Sequence, residues 1–131
     1  MNLVSIRLIT ADIQSLVGFY EVVTGVEARW ATPDFAEIVT PAATLAIGST
    51  RTVPLFAEGS ARPADNRTAI IEFLVSDVDA EYDRLRAVVD EFVNEPTTLP
   101  WGNRSLLFRD PEGNLINLFT PVTEQAVAKF S

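Results

Sequence analysis

The sequence of 131 residues contains neither histidine nor cysteine. Histidine is the commonest metal ligand in proteins and the side chain that usually titrates near neutral pH, and cysteine thiolates are the other main ligands of zinc and iron. A metal ion would therefore need carboxylates, amides and water as ligands, which restricts the choice to weakly held Mg²⁺, Ca²⁺ or Mn²⁺. The absence of cysteine also excludes disulfides and a thiol nucleophile.

Positive charge is scarce as well, because 10 Lys and Arg stand against 18 Asp and Glu and the net charge is −8. Such a chain repels nucleic acid phosphates and anionic membrane surfaces, and it attracts cationic ligands. The first residues lack the pattern of a signal peptide, and no apolar run is long enough to span a bilayer. We therefore expect a cytoplasmic protein with no nucleic-acid and no membrane partner.

A faint internal repeat divides the chain into two modules. A strand-like segment over residues 3–9 precedes Asp12 and an apolar helical stripe, and a second strand-like segment over residues 69–75 precedes Asp77 and a matching stripe. Each aspartate can cap its helix by accepting a free backbone N–H of the first turn. The two modules are offset by 65 residues, the separation of Asp12 and Asp77.

Three further strands follow each predicted helix, so each module is predicted to be βαβββ. The remaining predicted strands cover residues 27–30, 35–40, 44–49, 92–95, 104–109 and 114–120. The length predicts a single domain over residues 1–131. Within it, module one covers about residues 1–50, a Pro- and Gly-containing connector 51–67, module two 68–121 and a C-terminal helix 122–131.

Three segments of the chain resemble the vicinal oxygen chelate superfamily, which includes glyoxalase I, extradiol dioxygenases and bleomycin-resistance proteins. They are the first helix with its Phe19-Tyr20 pair, residues 76–82 at the start of the second helix, and the hairpin Asp110-Pro111-Glu112-Gly113-Asn114 within residues 109–118. The resemblance covers residues 3–121. It implies an α+β fold in which two tandem βαβββ modules form a cupped, partly closed eight-stranded mixed β-sheet barrel. It also implies a homodimer.

Metal-dependent members of this superfamily place ligands on the first and last strands of each module. The resemblance, together with a match of Pro41 to Pro111, assigns those positions to Ser5, Ile47, Ile70 and Asn117. Two of these residues are aliphatic and none is charged, so the set cannot hold a divalent cation. We therefore expect no metal and no other cofactor.

Polar residues at alternate strand positions are the first candidates for ligand contact, because alternate side chains share one face of a strand. Arg7 and Glu72 occupy equivalent positions of the two modules, and we predict an ion pair between them on the floor of the cup. The pair would either contact a ligand or replace the lost metal as a structural element. Asn117 can hold a ligand through its amide or bond to a neighbouring strand. Glu72 and Glu37 are the weak candidates for a catalytic base.

Aromatic residues are the second group of candidates. Trp30, Phe35, Phe56 and Trp101 can line an apolar pocket, and the loop that contains Trp101 and Asn103 is predicted to lie at its rim. The alternative for each aromatic side chain is packing in the core or at a dimer interface.

These residues support three hypotheses for the function. The first is metal-independent binding of a small organic molecule, cationic or aromatic, by a protein that sequesters an antibiotic or aromatic metabolite as bleomycin-resistance proteins do. The second is a metal-free isomerase or lyase that uses a glutamate of the cup as base. The third is a structural or interaction module whose cup is filled by its own side chains. Because no intact metal site is present, the sequence favours a protein that is not an enzyme.

Overall fold

In the computed structural model, which describes residues 1–131, the chain divides into two compact units over residues 1–66 and 67–131. The first unit contains β1 Ser5–Thr10, α1 Ile13–Thr24, β2 Arg29–Thr32, β3 Phe35–Val39, β4 Thr44–Ser49 and a 3₁₀ helix Thr50–Leu55. The second contains β5 Ile70–Leu74, α2 Val78–Leu85, β6 Thr97–Thr98, β7 Asn103–Arg109, β8 Leu115–Pro121 and α3 Glu124–Lys129. Each unit is therefore a βαβββ module, as the sequence predicts.

The helix termini form where the sequence places caps. Asp12, Asp77 and Thr123 are the N-caps of α1, α2 and α3, and each side chain accepts a hydrogen bond from a backbone N–H of the first turn. Gly25 ends α1 in the left-handed region, with φ of 70°. Because these caps are local, they can be identified from sequence.

The strands of each unit form a four-stranded mixed sheet with a parallel pair at one edge. The orders are β1-β4-β3-β2 and β5-β8-β7-β6, in which β1 runs parallel to β4 and β5 parallel to β8. The hydrogen bonds thus define one four-stranded mixed sheet in each βαβββ module, eight strands in all, which confirms the predicted α+β class. The other strand pairs are antiparallel.

Each helix packs on one face of its own sheet. In the first unit the core consists of Leu16, Val17 and Tyr20 of α1 with fully or nearly fully buried residues of the sheet, which are Ala36, Ile38, Leu45 and Ile47. In the second unit an aromatic chain joins helix to sheet, since the Tyr82 ring contacts Phe92 and Phe92 contacts the buried Phe108. We call the face of each sheet opposite α1 or α2 its open face.

The hairpin between β7 and β8 is built around Asp110. The buried carboxylate accepts hydrogen bonds from the backbone N–H groups of Glu112 and Asn114 and from the Asn114 amide. Gly113 adopts a positive φ of 82°, which a residue with a Cβ rarely tolerates. The predicted turn over residues 110–114 is therefore present, with a local physical reason for its residues.

Two predicted elements differ from the structure. Residues 92–95 form no strand but a single bridge from Phe92 to Phe108, because the Asn94 side chain takes the Leu107 N–H and interrupts the ladder. Part of the predicted connector is the ordered 3₁₀ helix, whose Thr52 and Val53 are buried. None of the three α-helices has the length and apolar composition needed to cross a membrane.

Candidate functional site

Strand register decides which side chains share the open face of the second unit. Glu72 of β5 is paired with Asn117 of β8, and Ser105 of β7 is paired with Phe119. Paired residues project to the same side of a sheet, and positions two apart on one strand share that side. Glu72, Asn117, Ser105 and Asn103 therefore lie on the open face, and we call this set the polar row.

Exposure along the polar row falls from Glu72 to Ser105 and rises again at Asn103, which is half-buried. Glu72 is exposed, Asn117 is 8% exposed and Ser105 is fully buried. Ser105 lies beside the C-terminal helix, because the Phe119 ring, opposite Ser105, packs against Phe130 with ring centroids 5.1 Å apart.

Three acceptors of the polar row have no hydrogen-bond partner although the atoms are buried. They are the Oδ1 atoms of Asn103 and Asn117 and the Oγ of Ser105. An unpaired polar group in a protein interior costs about 1–3 kcal/mol, and native proteins contain few of them. Their concentration on one face of one sheet is the main feature of the second unit that packing does not explain.

The orientation of the Asn117 amide is fixed by its neighbour. Its Nδ2 donates to the Oε2 of Glu72 at 2.8 Å, and an ionised carboxylate can only accept. The carbonyl oxygen of Asn117 must then be the free end. The two residues together present a carboxylate and an amide oxygen, both of which accept hydrogen bonds.

The open face of the first unit carries a different arrangement. Arg7 lies on β1, and its guanidinium carbon is 4.7 Å from the Phe35 ring centroid and 5.1 Å from that of Phe56. Glu37 is on the same face, because it is paired with Ala46 and Ala46 with Arg7. Arg7 and Glu37 are thus separated by β4, about 10 Å by ordinary strand spacing.

The predicted ion pair between Arg7 and Glu72 would join the two units and stays a prediction. The same holds for acid–base chemistry that uses Glu37 and Glu72 together. Within its own unit each residue has a different partner, aromatic rings for Arg7 and the Asn117 amide for Glu72.

The aromatic candidates are not brought together as a set. Phe35 and Phe56 meet at Arg7, but Trp30 is paired with Ala36 and so lies on the face that carries α1. The prediction that Trp30 and Phe35 line the same pocket wall is therefore wrong. An irregularity between Trp30 and Thr32 shifts the register there, and strand parity could not reveal it. Trp101 is 68% exposed in the loop before β7.

The register also corrects the predicted metal-equivalent position in β4. Arg7 is paired with Ala46 just as Glu72 is paired with Asn117, so Ala46 and not Ile47 corresponds to Asn117. Ile47 is fully buried on the helix face. The strand β4 begins three residues after Pro41, whereas β8 begins four residues after Pro111. Matching Pro41 to Pro111 therefore misplaced the equivalent position by one residue.

The corrected positions do not fit a metal ion. Ser5, Ala46, Ile70 and Asn117 offer one hydroxyl and one amide, and that amide already donates to Glu72. Divalent cations are held by several carboxylate, imidazole or thiolate ligands. These four residues therefore supply no ligand set for metal-dependent chemistry.

Ser105 is the residue of this site that strand parity could have found. Asn103 and Ser105 are polar at alternate positions of a strand whose next residues are apolar, and Asn117 follows on the neighbouring strand. This sequence pattern is a weak indication of a site, because the hydroxyl of a buried serine commonly bonds to the backbone. The absence of such a bond at Ser105 is visible only in the structure.

Comparison with known proteins agrees with this architecture. A profile of the Glyoxalase/Bleomycin resistance protein/Dioxygenase superfamily matches residues 2–118. The chain therefore belongs to this superfamily, as the sequence predicts. No curated protein is significantly similar to it in sequence.

Several solved structures share the fold. A glyoxalase/bleomycin resistance protein/dioxygenase from Nocardioides has 26% sequence identity and a TM-score of 0.76, over 95% of this chain and 85% of that one. A protein of unknown function from Agrobacterium tumefaciens has 23% identity and a TM-score of 0.79, over 93% and 95% of the two chains. An enzyme of the same superfamily from Burkholderia phytofirmans has 18% identity and a TM-score of 0.78, over 90% and 97%.

Proposed function

We propose that this protein binds a small organic molecule without a metal ion, and that the polar row receives a group of the ligand that donates hydrogen bonds. The observation that supports this proposal is the set of buried, unpaired acceptors at Asn103, Ser105 and Asn117. The function is then sequestration of an antibiotic or an aromatic metabolite, in the manner of a bleomycin-resistance protein.

The chemistry of the row specifies the class of ligand. The free atoms are carbonyl and hydroxyl oxygens, and the neighbouring Glu72 is a carboxylate, so an ammonium, amidinium or amide N–H is the complementary group. The net charge of −8 favours the approach of a cation over that of an anion. Glu72 is exposed and would meet the charged group first.

Benzylamine and benzyl alcohol are a matched pair of probes for this proposal. We expect benzylamine to bind more tightly, because its ammonium has three donors for Glu72 and the Asn117 carbonyl. The Glu72→Gln variant should weaken benzylamine binding tenfold or more, since charge-assisted hydrogen bonds contribute about 1.5–3 kcal/mol. Titration calorimetry or tryptophan fluorescence gives the affinities.

The control is Glu58→Gln, which removes the same charge from an exposed position of the other unit. It separates contact with Glu72 from the general attraction of an acidic protein for a cation. Equal loss in the two variants, or equal affinity for the amine and the alcohol, would contradict the proposal. Asn117→Leu tests the amide independently, with its melting temperature as the check on folding.

A further inference from the structure

Within its own unit the Arg7 guanidinium contacts two aromatic rings and no polar or charged partner. Phe35 and Phe56 lie 4.7 and 5.1 Å from its central carbon, and no hydrogen bond or ion pair engages its nitrogens within residues 1–66. A cation over an aromatic ring is attracted by the ring's electrons and needs no oxygen partner, so the N–H donors of Arg7 have no acceptor oxygen within residues 1–66. Arg7 therefore presents a positioned group of donors.

Two small residues of β4 make this arrangement possible. Phe35 is paired with Gly48 and Arg7 with Ala46, so the phenyl ring and the arginine meet across the strand that lies between them. A Cβ at Gly48 would lie 2.8 Å from Thr52 Oγ1 and 3.8 Å from Arg7 Cδ. The close contact is with Thr52, while the arginine stem would lie at ordinary contact distance, so glycine at this position allows the 3₁₀ helix to approach β4.

Phe56, the second aromatic partner of Arg7, follows a hydrogen-bonded corner between β4 and the 3₁₀ helix. Asp34 accepts hydrogen bonds from Ser49 Oγ and Arg51 Nε, both at 2.8 Å, and Thr52 Oγ1 donates to the Ser49 carbonyl. These contacts hold the first turn of the 3₁₀ helix Thr50–Leu55, which Phe56 follows. Leu55 and Phe56 remain 82% and 74% exposed and form an apolar surface beside the guanidinium.

Arg7 differs from most arginines of this chain in the kind of partner it contacts. Six other arginines form ion pairs, namely Arg51, Arg62, Arg84, Arg86, Arg104 and Arg109. In a protein with 18 acidic residues, Arg7 instead contacts two aromatic rings. Planar guanidinium matches a planar carboxylate in a bidentate pair.

We propose that Arg7, Phe35 and Phe56 form a subsite for the carboxylate of an organic molecule with an apolar body. The carboxylate pairs with the free edge of the guanidinium, and the apolar body lies against Phe56 and Leu55. The subsite lies on the first unit and does not depend on the amine-binding function proposed for the polar row, which lies on the second.

Benzoate and its neutral analogue benzamide test this subsite. We expect benzoate to bind more tightly, and Arg7→Gln to weaken benzoate binding at least tenfold while leaving benzamide nearly unchanged. Arg29→Gln is the matched control, because Arg29 is exposed on the same face and loses the same charge. Phe56→Leu should weaken both probes, since it removes a wall of the subsite and keeps the charge.

The predicted Glu72 partner gives the test a further arm. The wild-type protein could bind benzoate no better than benzamide, while Glu72→Gln gains benzoate binding. That result would show that the Glu72 carboxylate pairs with Arg7 and would overturn the subsite proposal. Equal effects of Arg7→Gln and Arg29→Gln overturn it as well. Benzylamine binding depends on Glu72 and benzoate binding on Arg7, so each proposal can fail without the other.

Discussion

Gly48 determines how closely three segments of the first unit approach one another. Its missing side chain leaves space for Thr52 Oγ1, Ile9 Cδ1 and Arg7 Cδ, and the nearest of these would be 2.8 Å from an added Cβ. Thr52 is buried and donates to the Ser49 carbonyl, so it cannot move without losing that bond. The glycine is therefore required by close approach and not by its dihedral angles.

We predict that Gly48→Ala destabilises the protein by about 1–3 kcal/mol, the usual cost of overpacking. Gly18 provides the control, because it lies inside α1 and no atom lies within 4 Å of an added Cβ. Gly18→Ala should stabilise the protein by about 0.5–1 kcal/mol, since alanine is the better helix former. Urea denaturation measures both effects, and a neutral or stabilising Gly48→Ala would contradict this account.

Among the elements, the corner between β4 and the 3₁₀ helix depends on one carboxylate. Asp34 binds Arg51 and Ser49, and the hydrogen bond from Arg51, followed by that from Ser49, holds the pKa of the Asp34 carboxyl below its ordinary value of 3.8. The hydrogen bond to Asp34 raises the pKa of Arg51. Because the pair is at the surface, solvent screens it and its contribution is small.

The lowered pKa of Asp34 gives a pH dependence with a definite sign. Its stabilising effect is complete above the unfolded value of 3.8 and is lost as the pH falls below it through the folded value. We predict that Asp34→Asn reduces stability at pH 7 and that the difference from wild type shrinks as the pH is lowered to about 3. Asp90→Asn removes the same charge from an exposed loop and serves as control. A difference that grows on acidification would refute the assignment.

Elements with local causes could be predicted from sequence, and elements with long-range causes could not. The caps at Asp12 and Asp77 depend on residues three positions away, and both were predicted and are present. The missing strand at residues 92–95 depends on the Asn94 side chain and a partner 13 residues later. Trp30 and Ile47 were assigned to the wrong face because a register shift and a turn length decide their pairing.

At the scale of the whole molecule, the internal repeat predicted two βαβββ modules, and three segments with the superfamily's motifs predicted the superfamily. These features were not enough to predict the site. Asn117 and Arg7 were candidates by strand parity and Asn103 as part of a predicted rim loop, but only the structure shows that the amide oxygens are buried without partners and that the guanidinium contacts two rings. Burial and hydrogen-bond satisfaction depend on side chains from distant strands, which a single sequence does not specify.

The same whole-molecule view predicts how the protein responds to metal ions. A cation that binds the native state alone adds about 2.7 kcal/mol at a hundred times its Kd, enough to raise the Tm by several degrees. The positions that correspond to the superfamily's metal ligands are Ser5, Ala46, Ile70 and Asn117, and none is charged. We therefore expect no change in Tm with Ni²⁺, Zn²⁺, Mn²⁺ or Mg²⁺ below millimolar concentration, and none after dialysis against EDTA. Benzylamine binding should likewise be unaffected by EDTA, because its partners are Glu72 and Asn117. A metal-dependent rise in Tm, or loss of ligand binding on chelation, would show that ligands outside these four positions hold a metal.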